Sequence, residues 1–267
     1  MSRLAKRFRE IAERNEKALI CFVTAGDPPE RTVEIVDTLA RAGADAVEIG
    51  IPFSDPLADG PSIQASSQRS LEHGMTTRKA LALVRQIRAS NPDLPLILMT
   101  YYNPIRHYGL EQYAIDAHAA GADAHIVTDL TPEEAGDWKR FSVDAGLDTV
   151  FLLAPTSTAE RIDVVAKLST GFIYCVSRTG VTGARQGVPE ELTGVVANIR
   201  KRTNEPICVG FGISTPDHVR KICAFADGAV VGSSLVDLIH NRRENPDMLH
   251  EVYEYVKGLK AGTQRRD

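Results

Sequence analysis

Ala42-Gly43-Ala44-Asp45-Ala46-Val47-Glu48-Ile49-Gly50-Ile51-Pro52-Phe53-Ser54-Asp55-Pro56-Leu57-Ala58-Asp59-Gly60-Pro61 reads as one unit of a repeating plan. A glycine at the end of a helix accepts a left-handed turn, and the chain reverses into a strand. Along 46–51, Val47, Ile49 and Ile51 fall on one face, and Ala46, Glu48 and Gly50 on the other. The same turn recurs as Ala120-Gly121-Ala122-Asp123 and Ala145-Gly146-Leu147-Asp148, each ahead of another apolar run.

Working outward, strands are predicted at 19–24, 46–51, 95–101, 123–128, 148–153, 172–176, 206–210 and 228–231. Helical periodicity covers 31–41, 77–90, 132–144, 160–168, 190–202 and 216–223. Eight strands alternating with helices read as an α/β protein with a (β/α)8 TIM barrel. The other arrangement, a doubly wound open sheet, carries G-x-G-x-x-G after its first strand. Here that place holds Thr24-Ala25-Gly26-Asp27-Pro28-Pro29. No linker divides residues 1–267, so a single domain is expected. A charged amphipathic helix within 1–17 should lie across the barrel bottom. A last helix with a frayed polar tail should fill 241–267.

Composition narrows the function classes. Hydrophobic residues make up 43% and charged residues 25%, ordinary for a soluble globular protein. No apolar run approaches the ~20 residues of a membrane span, and the amino terminus lacks a secretory pattern, so a cytoplasmic location is expected. A net charge of −4 argues against nucleic acid. Cys21, Cys175, Cys208 and Cys223 are widely spaced and fit reduced core thiols. The seven histidines show no metal-ligand spacing, and no metal or organic cofactor is signalled.

Glu48 is the residue whose chemistry is least easily dismissed. It sits between two small residues inside a strand, and burying an unpaired carboxylate raises its pKa. A structural acid paired to an arginine on a neighbouring strand is the plain alternative. The predicted strand interiors supply no Lys or Arg, so a proton-transfer role is the stronger reading. Asp55 and Asp59 follow in the loop.

In barrels of this kind the active site lies at the C-terminal strand ends. Three consecutive loops there are glycine-rich: Ser177–Gly187, Gly210–Ser214 and Gly232–Ser234, the last opening a helix. Close backbone approach and a helix N-terminus together make a phosphate site. The loop 177–187 is long enough to be a lid. Phe22, Met99, Tyr101, Ile126, Leu152 and Tyr174 have inward parity and could be plain core or wall a flat aromatic substrate.

FVTAGDP (22–28), VEIGIPFSDPLADGP (47–61), YYNP (101–104), VTDL (127–130), SRTGVTGA (177–184) and GFGIS (210–214) are the segments by which the chain resembles the tryptophan synthase α-subunit family. The resemblance implies a TIM barrel that cleaves indole-3-glycerol phosphate to indole and glyceraldehyde 3-phosphate without a cofactor. It implies Glu48 as general acid/base and Asp59 as the second catalytic carboxylate. Tyr174 matches a site tyrosine, and Gly183, Gly212, Gly232 and Ser233 match phosphate-site positions; Phe22 and Tyr101, by their inward parity, are the further substrate-binding candidates. It further implies a β-subunit partner in an assembly of two α and two β chains, met through Asp55, Pro56, Asn103 and Asp129. Thr131 departs from the family's usual proline after Asp-Leu. Two rival functions share the fold: a stand-alone lyase releasing free indole, and a non-catalytic barrel that activates a partner. Intact Glu48 and Asp59 speak against the second.

Overall fold

Residues 2–176, 190–210 and 212–264 are described by a computed structural model. Side-chain alternation organises it. The strands are β1 (Ala18–Thr24), β2 (Ala46–Gly50), β3 (Leu96–Thr100), β4 (Ala124–Val127), β5 (Asp148–Val150), β6 (Leu152–Leu153), β7 (Ile173–Val176), β8 (Ile207–Gly210) and β9 (Gly228–Val231). Paired neighbours are parallel, in the order β5-β4-β3-β2-β1-β9-β8-β7-β6.

The two ends of that order are consecutive in the chain. Only Phe151 separates β5 from β6, and its carbonyl accepts the Tyr174 N–H at 3.1 Å. The sheet thus returns on itself as a barrel of eight strand positions. The expected continuous strand over 148–153 is corrected to two short ones. Its first half bonds to β4 and its second to β7, so the ladder changes partner at Phe151.

Along β2, Val47, Ile49 and Ile51 pack outward under the helices, and Ala46 faces the barrel interior. The inner cluster also holds Ile20, Ile97, Ala124, Val150 and Phe172, joined by Leu4, Phe8 and Ile11 of the helix Arg3–Glu13. Phe8 and Phe172 stack with ring centroids 6.0 Å apart. That amphipathic helix therefore closes the N-terminal end of the barrel, as its pattern predicts.

The Asp after two of these turns has a structural task at a strand start. Asp45 accepts the Leu19 N–H at 2.8 Å and pairs with Lys260 Nζ at 2.7 Å. Asp123 accepts the Leu96 N–H at 2.9 Å and pairs with Arg88 and Arg3 at 2.7 and 3.0 Å. Asp227 likewise binds the Ile207 N–H at 3.0 Å, and Lys17 Nζ at 3.1 Å. These acids satisfy strand starts at the barrel bottom, where such residues serve stability.

Two further boundaries differ from expectation. The helix expected from Pro132 begins at Gly136, because Thr131–Glu134 forms a turn closed by Glu134 N–H to Thr131 O at 3.1 Å. The carboxyl-terminal tail is not frayed through Gln264. Gly262 and Thr263 are buried, Thr263 O accepts the Lys17 N–H at 3.2 Å, and Gln264 bridges Glu16. A Cβ on Gly262 would meet the Pro216 carbonyl at 2.5 Å, so only glycine lets the tail lie this close.

Candidate active site

β2 aims Glu48 into the barrel, in register with Phe22 on β1 and Ile97 on β3. It is 1% exposed, and its Oε1 has no hydrogen-bond partner among the described residues. Burial alone pushes its carboxyl up to about 8. The contrast with Asp45 and Asp123 is sharp: each of those buried acids holds a cation and a backbone N–H. Glu48 has neither kind of partner among the described residues.

The small residues flanking Glu48 do not leave open space beside it. A Cβ on Gly50 would meet Phe22 Cζ at 2.5 Å, so the Phe22 ring occupies that room. Gly210 on β8 does the same for Tyr174, whose ring and hydroxyl lie where a side chain would stand. Tyr174 is close enough to feel the charges of both Glu48 and Asp59, though burial is the main cause of its raised pKa.

Asp59 ends the loop after β2. Its N–H donates to Pro56 O at 3.1 Å, and the neighbouring Ala58 N–H donates to Tyr101 Oη at 2.9 Å. Burial pushes the Asp59 carboxyl up to about 6, opposed by a hydrogen bond with the Tyr101 side chain. Asp59 lines one pocket with Phe22, Gly50, Phe53, Met99 and Tyr101. Glu48 lies one inward position below Gly50 on the same strand. Glu48 thus sits in the barrel wall below this pocket, and Asp59 on its rim.

At the β8 and β9 ends, Gly212 is exposed with φ +37°, and Gly232 caps the helix Ser233–Arg242. Leu235 and Val236 N–H turn back to Gly232 O, while Ser233 and Ser234 hold the first helical positions, whose N–H groups face outward by helix geometry. Ser234 Oγ donates to Ile213 O at 2.6 Å, and Tyr255 Oη donates to Ser234 Oγ at 2.9 Å while lying 3.2 Å from Ser214 O. One tyrosine from the helix Met248–Lys260 thus ties both glycine loops together. Sequence reading missed it, because nothing local links residue 255 to residues 214 and 234. Gly183 and the proposed lid, 177–187, lie outside the described residues.

Three of the four expected partner-facing residues meet. Asp55, Asn103 and Asp129 line a second cavity of about 340 Å3 with Phe53, Leu57, Ala58 and Tyr101. Pro56 stands in the same loop. Asp129 also accepts the Tyr102 N–H at 2.7 Å, capping the helix Tyr102–Tyr108. Leu57, not singled out from sequence, is 92% exposed, large and apolar. Phe53 and Tyr101 line both cavities, their rings 5.2 Å apart, so the inner pocket and the surface groove share a wall.

The family described as Tryptophan synthase alpha chain matches residues 8–264. Similar chains include the tryptophan synthase alpha chain of Geobacter sp. (strain M21), 49% identical over 98% of both chains. That of Solibacter usitatus is 44% identical, again over 98% of each. Among solved structures, tryptophan synthase subunit alpha from Legionella pneumophila str. Paris superposes with a TM-score of 0.92 at 37% identity, covering 98% of each chain. A chain of tryptophan synthase from M. tuberculosis gives 0.88 at 32% identity, covering 99% of this chain and 100% of that one. The barrel, the carboxyl pair at its mouth and these full-length similarities converge: the chain belongs to the tryptophan synthase alpha chain family and is a lyase that cleaves indole-3-glycerol phosphate.

Proposed function

We propose that Glu48 carries both proton transfers of this cleavage and that Asp59 stabilises the charge that develops between them. The observation that carries the reading is Glu48 itself, a buried carboxyl of raised pKa with no ion-pair partner among the described residues. Protonated Glu48 gives its proton to indole C3, leaving positive charge on the ring nitrogen. Asp59, ionised above about 6, faces that N–H and stabilises the charge. Glu48, now a carboxylate, takes the proton of the C3′ hydroxyl. The C3–C3′ bond breaks, its electron pair returns to the indole ring, and the aldehyde forms. Glu48 ends protonated, as it began.

Phe22, Tyr101 and Tyr174 wall the ring site. The present pocket between Phe22 and Tyr101 holds only about 10 Å3, so the Phe22 ring moves off Gly50 as the indole enters. The substrate phosphate is held by backbone N–H groups at Gly212, Gly232 and Ser233, with Gly183 contributed by the loop after β7. A helix N-terminus supplies favourable charge there without a basic side chain. Gly212→Val should raise KM at least about tenfold, since φ +37° strains any branched residue and a side chain blocks close approach. An unchanged KM in steady-state assays would overturn the backbone cradle.

The β subunit consumes the indole, in a cytoplasmic assembly of two α and two β chains, each α chain forming one domain over residues 1–267. Asp55, Pro56, Asn103 and Asp129, with exposed Leu57, form the surface that meets it. Because Phe53 and Tyr101 join this surface to the pocket, a partner that prefers the ordered loop accelerates cleavage. A gain of about 10- to 100-fold needs only ~1.4–2.8 kcal/mol of differential binding. Titrating a β subunit into an assay of indole formation tests it. Full activity of the chain alone, without response to β, favours the stand-alone lyase.

A further inference from the structure

The helix Pro61–Glu72 starts two residues after Asp59, and its fully buried residues are all serines: Ser66, Ser67 and Ser70. A surface helix ordinarily docks through an apolar stripe. This one docks through directional polar contacts. The hydroxyls of Ser66 and Thr24 lie 2.6 Å apart, and Ser70 Oγ donates to Ala25 O at 2.5 Å. Arg69 Nε and Nη2 donate to Asp27 Oδ1 and Oδ2 at 3.0 and 2.6 Å. Residues 66, 69 and 70 share one helical face, and Thr24, Ala25 and Asp27 are the end of β1 and the loop beyond it. Asp27 is 8% exposed, so the ion pair is largely shielded from water.

The other end of the helix carries Asp59. Gln64 Nε2 donates to the carbonyls of Asp59 and Pro56, at 2.8 and 3.3 Å, stitching the loop to the first turn. Ser62 Oγ donates to Asp237 Oδ2 at 2.9 Å, on the helix whose N-terminus faces the phosphate site. Ile63 Cδ1 lies within contact of the space above Gly232. Apolar packing is non-directional and tolerates sliding, whereas a two-pronged guanidinium–carboxylate pair fixes both distance and plane. An axial slip of the helix would carry Asp59 with it.

We propose that the Asp27–Arg69 pair is a positioning element for Asp59, locking the helix Pro61–Glu72 to β1 so that the rim carboxylate meets the indole nitrogen above Glu48. The proposal rests on Asp59 being the second catalytic carboxylate. Misplacing a reacting group by about 1 Å can cost on the order of 10²-fold in rate.

Steady-state cleavage by the full chain tests it, with Arg69→Gln and Arg69→Lys each made in the native and the Asp59→Asn backgrounds. Arg69→Gln should lower kcat about 10- to 100-fold with KM within about threefold. Arg69→Lys keeps the charge without the fork and should recover only part of the loss. In the Asp59→Asn background, either change should cost less than about twofold more, because the group they position is gone. An equal loss in both backgrounds, or a loss confined to KM, overturns the proposal and marks the pair as ordinary scaffold. Near-native activity of Asp59→Asn overturns the underlying role of Asp59, and the proposal with it. Should Arg69→Gln not fold, Arg69→Lys carries the comparison alone.

Discussion

Glu48→Gln is expected to lower indole formation by at least about 10²–10⁴-fold while the barrel stays folded, because one group serves two proton transfers. The amide fits the same site and neither gives nor accepts a proton at working pH. The same variant has a second signature in stability. Glu48 is pushed up to about 8 by burial. Between the ordinary carboxylate range and that value, the folded chain holds a proton that the unfolded chain has released. Native stability therefore falls as pH rises through this window. Glu48→Gln removes that slope, so its thermal midpoint should gain on the native chain between about pH 5 and pH 9. Thermal unfolding across pH, beside kinetics on the same preparation, checks both. Cleavage within a few-fold of native would remove Glu48 from the mechanism, and a parallel pair of stability curves would show that it is already ionised.

The pH dependence of kcat/KM should be bell-shaped, with limbs near 6 and near 8. Asp59 must be ionised to stabilise the indole nitrogen, so activity rises as pH passes through its raised pKa. Glu48 must begin protonated, so activity falls as pH passes through its own. Asp59→Asn should erase the acid limb and cost on the order of 10²–10³-fold, the scale of losing one electrostatic stabiliser of developing charge. Survival of the acid limb in Asp59→Asn would assign it to another group.

Much of this was legible in residues 42–61. The alternation of Val47, Glu48, Ile49 and Gly50 set the inward and outward faces of β2: every residue of the strand is buried, but Val47 and Ile49 join the outer core and Ala46 the inner one. The repeated Gly-x-Asp turns marked strand starts, since a left-handed glycine is a local requirement. What local pattern could not show were contacts between distant segments. The room beside Glu48 is taken by a ring from β1, and Tyr174 fills the corresponding room at Gly210. The break at Phe151 arises from which neighbours its two halves bond to, a property of barrel closure. Tyr255 reaches the two glycine loops from the last helix, and Arg69 reaches Asp27 across 42 positions of chain. The pinned tail is a further case, held by Lys17 at the opposite end of the sequence.

Titration of the Glu48 side-chain carboxyl by carbon-13 NMR in the substrate-free chain tests the central claim most directly. The account predicts a midpoint near 8, set by burial. A midpoint in the ordinary glutamate range, about 4–5, would contradict it.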